Sequence, residues 1–284
     1  MHTRLRAASA ALALTLLAAL PAQAIVGGTN SAAYKHVDRG VQITPNWVLT
    51  ARHLNFSAGS LYENGWGNAS VAAVYNLGSN PFPRDDLTLL RLSTPITAPD
   101  LPLFDQGGPL APGSFSPFDV TIATGLNQSP RGYAYADVRA VYDQAPYDPD
   151  GSAGPLPVVQ VPVNWLVSYT PTLGAPYVQG GDSGGALFFG EVSDSTGSLL
   201  MGITTAQLSF APGGFGSAFI QLSAYRGWIT STMDGDSSDT QSASWINPFA
   251  TPVPEPASYA LFGAGLMLVG TLARRRRQSC SRPT

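Results

Sequence analysis

Ser183 stands in Gly180-Gly181-Asp182-Ser183-Gly184-Gly185, a setting that suits covalent acyl transfer. A serine hydroxyl is a poor nucleophile unless a base takes its proton. It also needs backbone N–H groups to hold the oxyanion that its attack creates. The flanking glycines let the chain bend so that the amides of Gly181 and Ser183 converge. Taken alone, the same stretch also reads as a glycine-rich turn carrying a surface serine.

A base is required, and histidines are scarce. After residue 24 the chain contains only His36 and His53. His53 closes the string Asn46-Trp47-Val48-Leu49-Thr50-Ala51-Arg52-His53, in which an apolar strand delivers the imidazole at its end. His36 lies among Tyr34, Lys35, Val37 and Asp38 and is expected on the solvated surface. A carboxylate is then needed to fix the imidazole tautomer and stabilise the imidazolium. Arg84-Asp85-Asp86-Leu87-Thr88-Leu89-Leu90 offers two. Asp86 directly precedes the apolar run and is preferred. Asp85 is the competing choice, and both also read as turn residues at a strand start.

The elements that must position these groups are short and β-type. Runs such as Gly40–Ile43, Trp47–Thr50, Ser70–Leu77 and Leu87–Leu92 alternate with Pro, Gly, Asn and Asp. Six more follow, at Val120–Thr124, Asp137–Tyr142, Val158–Trp165, Ala186–Phe189, Leu199–Thr205 and Ser217–Leu222. One helix is expected after Ser223 as its cap, with Tyr225, Trp228 and Ile229 at i, i+3, i+4 spacing. Many short strands and one late helix place the chain in the all-β class, as a barrel or a sandwich.

The ends differ from this body. Arg4 and Arg6, the apolar run Ala7 to Leu20, and Ala22-Gln23-Ala24 form a signal peptide, residues 1–24. Residues 25–233 are expected to fold. Residues 234–252, rich in Ser, Asp, Thr and Pro, read as a solvated linker. Residues 253–284 carry Val253-Pro254-Glu255-Pro256, an apolar stretch over 257–273 that is near the lower limit for a span, and Arg274 to Arg277. This tail resembles the PEP-CTERM sorting signal of Gram-negative bacteria, with all three parts in order. The resemblance implies an exosortase-type sorting enzyme as a partner and transient membrane anchoring by the helix. Release or surface attachment follows.

Between Arg6 and Arg274 the chain has eight basic and eighteen acidic residues, a formal charge of −10, which argues against nucleic acid as a partner. The single cysteine, Cys280, lies in the tail, so the folded region has neither a disulfide nor thiol chemistry.

Together the strings resemble the chymotrypsin-like (trypsin-fold) serine peptidases. Ile25-Val26-Gly27-Gly28 fits the mature start, Trp47 to His53 the histidine motif, Asp85 to Leu92 the aspartate motif and Gly180 to Phe188 the serine motif. Gly202 to Thr205 and Phe219 to Ile229 fit the substrate strand and the closing helix. The resemblance implies two six-stranded antiparallel β-barrels with a C-terminal helix, the His53, Asp86 and Ser183 triad in their crevice, and an oxyanion hole of the Gly181 and Ser183 amides. It implies an ion pair between the freed α-ammonium of Ile25 and Asp182 as the activating event. On that basis signal peptidase cleavage after Ala24 would be both export processing and activation.

The resemblance places Tyr177 at the base of the specificity pocket and Thr205, Ala206, Gln207, Gly216 and Ser217 in its walls. With tyrosine in place of aspartate, cleavage after Lys or Arg is not expected. Gly181-x-Ser183-x-Gly185 also fits the nucleophile elbow of α/β-hydrolases, but that fold needs a histidine after the serine, and none follows. A subtilisin order through Asp38, His53 and Ser183 would want alternating strands and helices, which are absent from the pattern. No metal or organic cofactor is indicated, since the carboxylates are scattered without calcium-loop spacing. The expected function is an exported serine endopeptidase acting on proteins or peptides, at the cell surface or outside the cell. The alternative is a catalytically silent surface or matrix protein on the same fold.

Overall fold

The computed structural model describes residues 25–80, 82–113, 117–125, 132–147, 159–169, 175–210 and 214–250. The signal-peptide reading of 1–24 and the sorting segment beyond residue 250 lie outside them. The chain divides into two compact units at Pro248, and every element below belongs to the first.

The fold is all-β. The first half carries β1 (Ile25–Val26), β2 (Thr29–Asn30), β3 (Val41–Thr44), β4 (Trp47–Ala51), β5 (Leu61–Asn64), β6 (Gly67–Asn76), β7 (Leu87–Leu92) and β8 (Leu103–Phe104). The second carries β9 (Phe118–Ala123), β10 (Gly132–Tyr147), β11 (Val159–Tyr169), β12 (Tyr177–Val178), β13 (Ala186–Phe189), β14 (Leu200–Phe210), β15 (Gly214–Gln221) and β16 (Trp245–Ile246). A 3-10 turn over Leu222–Tyr225 leads into α1 (Arg226–Gly235). Ser223 therefore lies inside that turn and does not cap the helix; Tyr225 holds the cap position.

Strands β3, β4, β7, β6 and β5 form one antiparallel sheet in that order. A second sheet runs β13-β9-β10-β11-β15-β14-β8-β16, and β13 also pairs with β14. That pairing closes β9, β10, β11, β15, β14 and β13 into a ring of six antiparallel strands. Among the described residues the first half has five strands in its sheet, where the resemblance implied six. β8 joins the second sheet, pairing Leu103 with Leu200 and with Trp245, and β1 pairs with β12.

Apolar burial joins the two halves. Trp47, Leu49, Leu87 and Leu89 pack in one cluster with Phe188, Ile203 and Ile220, and with Ile229 and Met233 of α1. Every residue of β4 is buried because the strand is covered on both faces. Val48 turns the other way, into a cluster with Tyr62, Val71 and Leu90. Burial of this kind removes apolar surface from water and fixes the strand that carries the histidine.

The solvated-linker reading of 234–252 does not hold over its first part. Asp236 pairs with Arg91 at 2.6 Å and accepts the Tyr75 hydroxyl at 2.7 Å. Asp239 accepts Trp47 Nε1–H at 2.7 Å, and Trp245–Ile246 pairs with β8. Asp236 and Asp239 thus tie the segment to the folded body, although none of residues 234–250 is buried. The Tyr75 hydroxyl, with help from Ser238, holds the Asp236 carboxyl down at about 2.

Candidate active site

Strand register brings the first two groups together. Ala51 of β4 is paired with Leu87 of β7, so Arg52 and Asp86 meet one step beyond the last pair. The Arg52 amide donates to the Asp86 carbonyl at 3.0 Å. The chain then turns through a 3-10 segment, Arg52–Leu54, which stops at Asn55 in the left-handed region at φ 55°. This turn folds His53 back over Asp86. The Asp86 carboxylate accepts His53 N–H at 2.9 Å and His53 Nδ1 at 2.8 and 3.0 Å. Asp85 points elsewhere, accepting the amide and side-chain nitrogen of Asn80.

The third group comes from the other half. Ser183 lies in the turn between β12 and β13, held by Asp182 N–H on Gln179 O and Gly185 N–H on Asp182 O. Its Oγ is 2.8 Å from His53 Nε2. The Asp86 carboxylate accepts the His53 Nδ1–H, so Nε2 is left to accept from the serine hydroxyl. The His53 side chain is 29% exposed and that of Asp86 1%, so a substrate reaches the imidazole but not the carboxylate.

Thr205 has a role that sequence reading missed. It was expected in a pocket wall, yet its hydroxyl donates to Asp86 Oδ2 at 2.5 Å, across a separation of 119 residues. Asp86 thus accepts three donors, which offsets the cost of a buried carboxylate.

Two glycines shape the serine turn. Gly181 has φ +102° and Gly184 φ +83°, a region that L side chains rarely adopt. A Cβ on Gly184 would also strike the backbone carbonyl of Arg39. Gly184→Ala is expected to cost about 2 kcal/mol or more and lower the thermal midpoint by roughly 5 °C. Calorimetry of the variant checks this. Among the described residues the Gly181 and Ser183 amides have no protein acceptor. That leaves two unspent N–H donors within two residues of the Ser183 hydroxyl along the chain.

The expected activation pair is brought partly together. Ile25 is 1% exposed and sits opposite Val178, four residues before Asp182. Asp182 is also 1% exposed, and its carboxylate accepts the Gln179 amide at 2.8 Å. No ion pair between Ile25 and Asp182 occurs among the described residues. Burial pushes the Asp182 carboxyl up to about 7, and the Gln179 N–H offsets this only in part.

A cavity of about 380 Å³ opens beside Ser183 and His53, lined by Val178, Gly180, Thr205, Ala206 and Gln207 among others. The other three expected wall residues do not line it. The Tyr177 ring stacks on Phe215 at 4.8 Å. Ser217 is fully buried, its hydroxyl accepting the Val178 amide at 2.9 Å. Gly216 pairs with Tyr169 and Leu208 within the sheet. Counting back from the serine fixes a position in the chain but not the direction of its side chain.

Phe82 is a cavity wall that the sequence reading did not single out. Its ring meets the His53 ring edge-on at 5.5 Å. The loop before it is tied down by Arg52, which donates to Gly78 O at 2.8 Å and Asn80 O at 2.6 Å. A large apolar residue between two prolines, three residues ahead of the aspartate pair, was the available signal.

His36 is 1% exposed, which corrects the expectation of a solvated surface histidine. Its Nε2 donates to Pro99 O at 3.0 Å, so its Nδ1 accepts the Ser195 hydroxyl at 2.7 Å. Burial pulls its pKa down. Ser195 is fully buried, so no substrate reaches this second His–Ser pair.

Residues 252–277 match the PEP-CTERM protein-sorting motif. No match is found among curated proteins. The motif implies an exosortase-type sorting partner, with export and sorting to the cell surface. The apolar stretch over 257–273 lies outside the described residues. Among the described residues, no helix is long and apolar enough to cross a membrane.

Proposed function

We propose that the chain is an exported serine endopeptidase of the chymotrypsin-like kind, built as two antiparallel β-barrels with the site in their crevice. One observation carries the reading: the His53 imidazole bonds the Ser183 hydroxyl on one side and the Asp86 carboxylate on the other. His53 Nε2 takes the Ser183 proton as Oγ attacks the scissile carbonyl carbon. Asp86 holds the imidazole in the required tautomer and stabilises the imidazolium. The amides of Gly181 and Ser183 bind the oxyanion. His53 then gives its proton to the leaving amine, and water completes hydrolysis of the acyl-enzyme by the same route in reverse.

The strand beside the site suits a peptide. β14 pairs with β13 only as far as Ile203, and with β15 along its other edge. From Thr205 to Phe210 one edge is unpaired by any strand among the described residues, and an extended peptide can add to it. None of the residues lining the cavity at Ser183 is charged at neutral pH apart from His53 when protonated. An uncharged side chain next to the scissile bond is therefore favoured over Lys or Arg.

Export, in this reading, begins with crossing of the inner membrane and cleavage after Ala24. Residues 257–273 then anchor the chain until the sorting enzyme acts at Pro254-Glu255-Pro256. The test uses protein beginning at Ile25 and a diverse peptide library. The expected result is cleavage by this protein and none by Ser183→Ala. An intact library after incubation with folded protein would leave the silent surface protein as the better reading.

Thr205 supplies a finer check. Thr205→Val removes a donor to a buried carboxylate, and kcat is expected to fall about tenfold or more with KM little changed. Thr205→Ser restores the hydroxyl and most of the rate. Steady-state kinetics on one cleaved peptide measures both.

A further inference from the structure

Five large apolar side chains are exposed among the described residues: Leu61, Tyr135, Phe215, Ile246 and Phe249. The first four lie in β5, β10, β15 and β16, where strand pairing holds the backbone. Phe249 is the most exposed, at 62%, and lies in no strand or helix. It also stands between the folded body and the sorting motif at 252–277. We propose that a second copy of this chain cuts the bond between Phe249 and Ala250, so that the protein releases itself from its own sorting tail. The inference rests on the serine peptidase reading of Ser183 and names a substrate for it.

The fold marks where such a cut can fall. Residues 236–246 are tied to the body along their length. Besides the bonds of Asp236 and Asp239, Gln241 Oε1 accepts the Asn46 amide at 3.1 Å. Ser244 O accepts Leu103 N–H at 2.7 Å, and Ile246 O accepts Asp105 N–H at 2.9 Å. The last strand ends at Ile246, and the sorting motif begins at Pro252. Between them lies Asn247-Pro248-Phe249-Ala250-Thr251. Every strand and helix of the fold precedes this neck, so a cut within it removes none of them. Exposed backbone outside the regular elements is where proteolytic nicking concentrates.

The chemistry of the site selects the bond. The cavity at Ser183 has no charged wall apart from His53 when protonated, and its walls include Phe82, Val178 and Ala206. A charged side chain entering it would lose its hydration without a partner. Residues 240–254 carry no charge, and Phe249 is the one large apolar residue of the neck. Ser183 Oγ attacks the Phe249 carbonyl carbon, and the hydroxyl proton passes to His53 Nε2. The C–N bond to Ala250 breaks as His53 returns that proton to the leaving nitrogen. Water then frees the Phe249 carboxyl and restores Ser183. The products are a body ending at Phe249 and a tail beginning at Ala250. This bond precedes Pro254-Glu255-Pro256, so the cut frees the body whether or not the sorting enzyme has acted. The enzyme is another copy because Phe249 is three residues past Ile246, which β8 holds. A tether with a reach of about 10 Å leaves little freedom to lay both sides of the bond through its own crevice.

The test uses the chain from Ile25 to Thr284 in detergent, with Ser183→Ala so that it serves only as substrate. A trace of unaltered protein is added, and the product termini are mapped by mass spectrometry. The first products expected have a carboxyl terminus at Phe249 and an amino terminus at Ala250. Phe249→Asp and Ala250→Pro in the substrate chain are each expected to slow this cut about 100-fold or more. Both positions are exposed, so the same changes in the active chain should leave folding and cleavage of a short peptide unaltered. A substrate chain that stays intact, is cut first elsewhere, or is cut equally fast in both variants would overturn the proposal. So would the same cut without added protein. If the added protein still cleaves short peptides, the peptidase reading survives that result. If no peptide is cut and a fluorophosphonate does not label Ser183, the peptidase reading itself fails and takes this inference with it.

Discussion

Ser183→Ala is expected to lower kcat for peptide hydrolysis by about 10,000-fold or more, and His53→Ala by a similar factor. The size follows from the shared proton path. Without the Oγ nucleophile no acyl-enzyme forms. Without Nε2, at 2.8 Å, nothing takes the proton as the bond to carbon develops. Because the two groups act as one unit, the double variant should be little worse than either single one. The residual rate would come from the Gly181 and Ser183 amides and from binding alone. Single-turnover kinetics on a cleaved peptide, with folding checked by circular dichroism, measures all three proteins. Retention of a tenth of the activity by Ser183→Ala would be incompatible with the proposed mechanism.

The second large effect concerns the start of the chain. A protein that retains Ala24 or carries an acetylated Ile25 is expected to be about 100- to 1,000-fold less active than one starting with a free Ile25. That is the typical loss when one oxyanion donor is misplaced. Burial pushes the Asp182 carboxyl up to about 7 from an ordinary value of 3.8. With Ile25 acylated, the folded protein binds a proton there more tightly than the unfolded chain does. Stability is then greatest below about pH 4 and falls as pH rises through about 7, by up to roughly 4 kcal/mol. A free α-ammonium beside Asp182 favours the ionised carboxylate and removes that loss. Melting curves between pH 4 and 8, in the Ser183→Ala background to prevent autolysis, separate the forms. The acylated protein should lose stability across this range, and Asp182→Asn should abolish the slope. Equal slopes for the free and acylated forms would contradict the pairing.

Much of the site was legible because it is built from local patterns. The apolar string Trp47 to Ala51 gave a buried strand, and a polar residue just past its end had to turn toward the crevice. Asp86 was preferable to Asp85 because it adjoins β7, and the register Ala51 to Leu87 carries that preference into contact with His53. The glycines around Ser183 announced their own backbone geometry. Thr205 was not legible in this role, since its bond to Asp86 joins strands from different halves of the fold. Nor was the direction of Tyr177, which depends on Phe215 lying within stacking distance.

The strand limits failed for a related reason. Asp137–Tyr142 was expected, and β10 runs from Gly132 to Tyr147. Leu199–Thr205 was expected, and β14 continues to Phe210. The added residues mix small, polar and aromatic types and have no clean alternation of their own. They are strand because β9, β11 and β15 lie beside them. His36 misled in the opposite sense. Its charged neighbours suggested solvent, but Lys35 lies over the Trp66 ring at 4.7 Å while His36 turns inward.

The most direct measurement is covalent labelling of protein beginning at Ile25 with a fluorophosphonate, followed by peptide mapping in a mass spectrometer. An activated serine reacts with this reagent and an ordinary surface serine does not. The expected result is one label per chain, on Ser183, strongly reduced in His53→Ala. Folded protein that takes up no label, or that labels equally well when Ser183 is alanine, would contradict the assignment of Ser183 as the nucleophile.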